Sequence, residues 1–250
     1  MSTSRSGGLR MPRRPAGEGR RRASALLGGV AVVAVALAGM VALRWDERGA
    51  GGLQGAYDGA PPPVTRAADG SFVMAWGDEK APLLEIFTDY QCPDCKDAHD
   101  EVGPLLRRLA SQGRVRVVYR PIQVYRGTDG GPSASNSRRA GNAALCAPAA
   151  GWLAYHEALF EHQPDEDTAG FEPDELIAIG ERAGISGPSF PACVTGGGQN
   201  ARLDELTRYA FSVRGVREPP AAFLDGRRLD DSVQRDAARL ERAIHTARRP

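Results

Sequence analysis

From residue 83 onward, short apolar runs alternate with stretches whose apolar residues recur at helical spacing. Leu83-Leu84-Glu85-Ile86-Phe87 follows Pro82 and predicts a buried strand. Next, Cys95, Ala98, His99, Val102, Leu105, Leu106 and Leu109 recur at the spacing of one helix face. Pro104 predicts a kink in that helix and Gly113 its end. Val115-Arg116-Val117-Val118-Tyr119 alternates and predicts a second strand. Helical patterns then fill the chain from about Ser133 to Val213. The clearest are Trp152 to Phe160, Asp174 to Ala183 after Pro173, and Ala201 to Val213. Ala221-Ala222-Phe223-Leu224 predicts another strand, and Asp225-Gly226 a hairpin turn. Ser232 is placed to cap a last helix carrying Val233, Ala237, Leu240 and Ile244. The order strand, helix, strand, helical block, hairpin, helix predicts an α/β domain.

The N-terminal part has a different character. Ala23 to Leu43 is a run of 21 residues without a charge. As a helix it would span roughly 31 Å, enough for a hydrocarbon core. Arg20, Arg21 and Arg22 precede it directly, so the positive-inside rule keeps residues 1–22 in the cytoplasm and exports everything after Arg44. The alternative is a signal peptide cleaved near Ala36-Leu37-Ala38, but the apolar run is longer than such segments usually carry. No cysteine lies close enough to support a lipid anchor. Residues 44–70 are rich in Gly, Ala and Pro, show no apolar period, and read as a tether.

Charge sharpens the division. Residues 1–22 hold seven Arg and one Glu, whereas residues 71–250 hold 22 Lys and Arg against 26 Asp and Glu. The main domain is mildly acidic, which argues against a nucleic-acid partner. With 42% apolar residues it can build a packed core. All four cysteines, Cys92, Cys95, Cys146 and Cys193, follow the apolar run. They would lie in an oxidising compartment, where disulfides persist.

Cys92-Pro93-Asp94-Cys95 falls at the junction of the first strand and its helix. A helix N-terminus offers unpaired N–H groups and the positive end of the macrodipole, so it favours a thiolate. Cys92 is the outer, nucleophilic thiol in this reading, and Cys95, one turn inward, resolves the mixed disulfide. Pro93 suits an early helix position. Asp94 would oppose a thiolate beside it, partly offset by its own attraction to the helix end, and implies a less extreme oxidant. Zinc is the competing chemistry, because Cys92, Cys95 and His99 fit a C-x2-C-x3-H pattern. A structural site needs a fourth ligand, and Cys146 and Cys193 lie in a distant helical block. The reading therefore includes no metal and no bound cofactor. His99 reads as a half-buried structural histidine or as a residue that tunes the pair.

EIFTDYQCPDCKDAH, the helical block and EPPAAFLDG together resemble the DsbA-like branch of the thioredoxin superfamily, over about residues 71–250. The resemblance implies a thioredoxin-like fold with a helical insertion at about 133–213, and disulfide exchange at Cys92 and Cys95. It implies that Pro220, counted back from the Asp225-Gly226 turn, is a cis-proline beside the thiols. It also implies a structural disulfide between Cys146 and Cys193. The implied partners are cysteine-containing secreted or membrane proteins and a DsbB-like or VKOR-like membrane reoxidase. A reductase, or a peptide-binding or chaperone module without turnover, is the alternative. Two positions depart from the pattern. Pro219, before the cis-proline, has no N–H to offer a substrate strand. Ile86 stands where many relatives carry a buried acid, and the adjacent Glu85 faces the other side of the strand.

Overall fold

The computed structural model describes residues 61–77, 79–126 and 131–247. The basic tail at 1–22, the apolar run at 23–43 and the tether as far as residue 60 lie outside the described residues. Among the described residues no helix is long and apolar enough to cross a membrane.

A six-stranded mixed sheet forms the centre, in the order β1-β2-β4-β3-β5-β6. Its strands are β1 (Val64–Arg66), β2 (Phe72–Met74), β3 (Leu83–Thr88), β4 (Arg116–Pro121), β5 (Ala221–Leu224) and β6 (Arg227–Arg228). β3 lies in the middle, parallel to β4 and antiparallel to β5. A parallel neighbour requires a crossover, and α1 (Pro93–Ser111) supplies it. Residues 64–66, assigned by composition to the tether, instead form the edge strand β1 against β2. Three residues are too few to show a period, which is why composition misled there.

Alternation along the strands separates two apolar layers. Leu84 and Ile86 of β3, Val117 and Tyr119 of β4, and Ala222 and Leu224 of β5 share the face covered by α1. Phe87, Ala221 and Phe223 point to the other face, where they meet Ile122, Ala210 and Val216. Glu85 also points to that face. It is buried between Arg120 at 3.1 Å and Arg214 at 2.8 Å.

α1 continues through Pro104. The missing N–H would have bonded the Asp100 carbonyl. Both residues are exposed, so water can satisfy that oxygen. Gly113, at φ 63°, ends the helix. Its N–H bonds the Ala110 carbonyl and Arg114 N–H bonds that of Leu109, the paired arrangement of a Schellman turn.

Between β4 and β5 run α2 (Gly131–Cys146), α3 (Ala149–Glu161), α4 (Pro173–Arg182), α5 (Ser189–Thr195) and α6 (Asn200–Arg208). The helix expected over 201–213 changes at Tyr209 into a π-helical turn, Tyr209–Val213. Cys146 at the end of α2 and Cys193 in α5 are joined by a disulfide. The β5–β6 hairpin turns on Asp225 and Gly226, both at positive φ (46° and 80°), the combination a two-residue type I′ turn needs.

The C-terminal helix departs from expectation. Ser232 does not cap it but lies inside a short helix, α7 (Asp231–Gln234). The chain breaks at Arg235 and restarts as α8 (Ala237–Ala247). Asp236 caps α8 through its Oδ1, which accepts the Arg239 N–H at 2.8 Å.

Candidate active site

β3 ends at Thr88, and residues 89–92 carry the chain into α1. Cys92 is the N-cap of α1, in extended conformation (φ −82°, ψ 116°) with Pro93 at the first helical position. Its Sγ accepts the Cys95 N–H at 3.3 Å. One of the orphan donors of the helix start is thus aimed at the sulfur that would carry charge. Both residues are unbridged thiols, Cys92 7% exposed and Cys95 2%. The outer thiol is therefore itself nearly buried. Burial, reinforced by the neighbouring Cys92 sulfur, pushes the Cys95 thiol well above its ordinary range.

The β3–β5 register pairs Phe87 with Ala221, which brings the residues just before β5 alongside the β3–α1 junction. The Pro219–Pro220 peptide bond there is cis. The Cys92 thiol faces the Pro219 carbonyl at 3.8 Å. Gln234 of α7 holds this segment from behind. Its Nε2 donates to the Pro220 carbonyl at 2.9 Å, and its Oε1 accepts the Ala222 N–H at 2.7 Å. The break after α7 points Gln234 inward, and sequence periodicity gave no hint of it.

Asp94 is not an isolated negative charge. Arg235, at the break between α7 and α8, reaches its Oδ2 at 3.0 Å. Its hydrogen bond and charge hold the Asp94 carboxyl below the usual range. Arg235 also interacts electrostatically with Cys92. The penalty expected of Asp94 on a Cys92 thiolate is therefore offset by a cation that the sequence places 141 residues away.

Three further residues escaped sequence reasoning. Asp89 is fully buried, and its carboxyl accepts from Gln91 N at 2.9 Å, Val124 N at 2.7 Å and Ser137 Oγ at 2.6 Å. Its carbonyl accepts the Cys92 N–H at 3.2 Å. Gln163, just after α3, donates to the carbonyls of Tyr90 and Cys92. Gln91 returns a bond to the Pro164 carbonyl. The loop before Cys92 is thus clamped from the helical insertion. A buried Asp three residues before a CxxC was the available signal, and in isolation it reads as an ordinary turn residue.

His99 packs beneath the thiols, its ring stacked on Phe160 with centroids 4.7 Å apart and edge-on to His156 at 5.0 Å. Ile86 and Thr88, from the face of β3 opposite Glu85, line a cavity together with Cys95, His99, His156 and Pro220. The Cys146–Cys193 disulfide lies within the insertion, away from this group. Among the described residues no three His, Cys, Asp or Glu side chains are grouped to hold a metal.

A dithiol at a helix N-terminus, set against a cis-proline on a mixed sheet, defines a protein of the thioredoxin type. Residues 72–245 match the model of a thioredoxin family, and the chain belongs to that family. No curated protein matches. Among solved structures, the chain is similar to the disulfide bond oxidoreductase DsbG of Mycobacterium tuberculosis in reduced form. The TM-score is 0.59 at 22% identity, over 74% of this chain and 86% of that one. Oxidised DsbA of the same organism gives TM-score 0.59 at 22% identity, over 76% and 93% of the two chains. The thiol-disulfide oxidoreductase MdbA of Corynebacterium diphtheriae gives TM-score 0.60 at 18% identity, over 76% and 96%. At these identities the likeness is one of fold.

Proposed function

We propose that this protein is a membrane-tethered, extracytoplasmic thiol–disulfide oxidoreductase that introduces disulfides into secreted proteins. The observation that carries the reading is the position of Cys92. Its sulfur caps a helix, receives the Cys95 N–H, and lies beside the Pro219 carbonyl. In the oxidised form a substrate thiolate attacks Cys92 Sγ. The Cys92–Cys95 bond breaks, a Cys92–substrate disulfide forms, and the electron pair leaves on Cys95, which takes up a proton. A second substrate thiolate then attacks the substrate sulfur and releases Cys92 as a thiolate under the helix N-terminus. The enzyme ends as a dithiol and is reoxidised by a membrane partner of the DsbB or VKOR kind. The uncharged run at 23–43 and the arginines before it support the tether and the exported orientation.

Direction is decided by the reduction potential of the Cys92–Cys95 pair in the full-length protein. It is equilibrated in glutathione buffers, and free thiols are trapped by alkylation. A potential near or above roughly −180 mV marks a disulfide donor, and one near −270 mV or below marks a reductase. One feature favours a second reading, a peptide-binding module without turnover: Pro219 offers a substrate strand a carbonyl but no N–H. Cys92→Ser separates the two. It abolishes disulfide transfer in an oxidoreductase and leaves the holding activity of a chaperone intact.

A further inference from the structure

Exchange at a buried dithiol needs a route for a proton. Cys95 is 2% exposed, and burial disfavours its thiolate, so it must gain a proton as it leaves and lose one as it attacks. The position on β3 from which a carboxyl could serve it holds Ile86, and Glu85 is committed to Arg120 and Arg214 on the opposite face. Behind Cys95 lies a mostly apolar cavity of about 30 Å³, whose lining also includes the polar side chains of Thr88, His99, Tyr119 and His156. That is room for two or three waters, each needing about 10–15 Å³ on this measure.

Two imidazoles border this cavity. His156 of α3 is 1% exposed; its Nδ1 pairs with the Tyr90 hydroxyl at 2.8 Å, while its Nε2 is buried without a protein partner. His99, four residues after Cys95 on α1, is half-buried and lies between the cavity and solvent. We propose that His99 and His156 are the proton conduit of Cys95, joined to its sulfur through water in this cavity. The proposal rests on the oxidoreductase reading and deepens it.

When a substrate thiolate breaks the Cys92–Cys95 bond, cavity water gives a proton to the departing Cys95 sulfur. An N–H of His99 replaces that proton, and the other nitrogen of His99 takes one from solvent. When Cys95 attacks a mixed disulfide on Cys92, the substrate thiolate leaves and the proton of Cys95 travels the same path outward. His99 accepts at one nitrogen and donates from the other, so it needs no net charge, whereas His156, whose Nδ1 is held by the Tyr90 hydroxyl, offers only its Nε2, which holds the water in line. Burial favours this mode, since it draws His99 down to about 4 and His156 well below its ordinary value. Several groups bear on the pH behaviour. His99 is faced by Lys96, Asp100 and Arg107 of its own helix and by His156. His156 is faced by Tyr90, by Tyr119 of β4, and by Arg107, which pairs with Glu157 of α3. Cys95 is faced by Cys92 and Asp89.

The test uses the reduced full-length protein and an aromatic disulfide that releases a coloured thiol, followed by stopped flow. The first release reports attack by Cys92, and the second reports resolution by Cys95. We expect His99→Gln and His156→Gln to slow the second release about 100-fold at neutral pH, the low end of what general acid–base catalysis contributes. The first release and the equilibrium reduction potential stay at wild-type values, because a conduit changes a rate and not an equilibrium. In His99→Ala, added imidazole restores the second release. A loss of packing alone would slow both releases or shift the potential, and imidazole would not reverse it; that outcome overturns the proposal. A second release that is unchanged in both glutamine variants also overturns it while leaving the oxidoreductase reading intact. A wild-type protein that shows no second release overturns both.

Discussion

Asp89→Ala removes the acceptor on which the loop before Cys92 is built. The carboxyl is fully buried and receives two backbone N–H groups and one hydroxyl, from Gln91, Val124 and Ser137. Ser137 can rotate its hydroxyl towards another acceptor, but the N–H groups of Gln91 and Val124 cannot turn. Each buried donor left unpaired costs about 1–3 kcal/mol. The Val124 bond is only partly buried, so it belongs at the low end of that range. Against this, the substitution removes a carboxyl that burial renders hard to ionise, as its raised pKa records. The net expectation is a loss of about 2–4 kcal/mol. Asparagine keeps one oxygen but turns an amide N–H towards a donor, so Asp89→Asn should lose about half as much. The assay is equilibrium urea unfolding at neutral pH with the Cys146–Cys193 disulfide intact. With a slope of about 2 kcal/mol per molar, the Asp89→Ala midpoint falls by about 1–2 M. A midpoint that moves by less than about 0.3 M at unchanged slope would refute the assignment.

Four other outcomes follow from particular contacts. Replacing both Cys146 and Cys193 by alanine reopens a loop spanning 47 residues, and chain entropy puts the cost at about 4 kcal/mol, read from denaturant midpoints. His99, held down to about 4 by burial, takes up protons less readily folded than unfolded. Stability is therefore full above its unfolded pKa of about 6.5 and declines by on the order of 3 kcal/mol as pH falls towards 4; His99→Gln should flatten that decline in unfolding curves taken across this range. Arg235→Gln leaves Asp94 uncompensated beside Cys92, which disfavours the reduced form. An exposed pair of this kind is worth about 0.2–1 kcal/mol, so the measured potential should become more negative by roughly 5–20 mV, and a shift in the opposite sense would contradict the assignment. Pro219→Val restores an N–H beside Cys92, and one added hydrogen bond should tighten binding of an extended cysteine-free peptide about 2–10-fold, as followed by calorimetry.

What the sequence made legible is what local pattern controls. Five consecutive residues, Leu83 to Phe87, were enough to reveal β3, and one apolar face running from Cys95 to Leu109 revealed α1. The Asp225-Gly226 turn located the β5–β6 hairpin, and counting back from it located Pro219 and Pro220. β1 and β2 were missed because three residues cannot display a period of two. The break at Arg235 was missed because Val233, Ala237, Leu240 and Ile244 keep helical spacing across it.

That break also explains why half of the site could not be read. Helical spacing records which residues face the core, but not whether the backbone between them is continuous. Here the interruption turns Gln234 inward onto Pro220 and Ala222 and sends Arg235 out to Asp94. Neighbouring residues of one turn thus hold the cis-proline segment and place a positive charge on Asp94, two residues after Cys92. The same logic applies to Asp89, Gln163 and His156, whose long-range partners lie 35 to 73 residues away in the chain. The dithiol is a local motif and is visible as one. Its electrostatic and proton environment is assembled by tertiary contacts from β4, the insertion and the C-terminal helices, so it becomes visible only when the chain is folded.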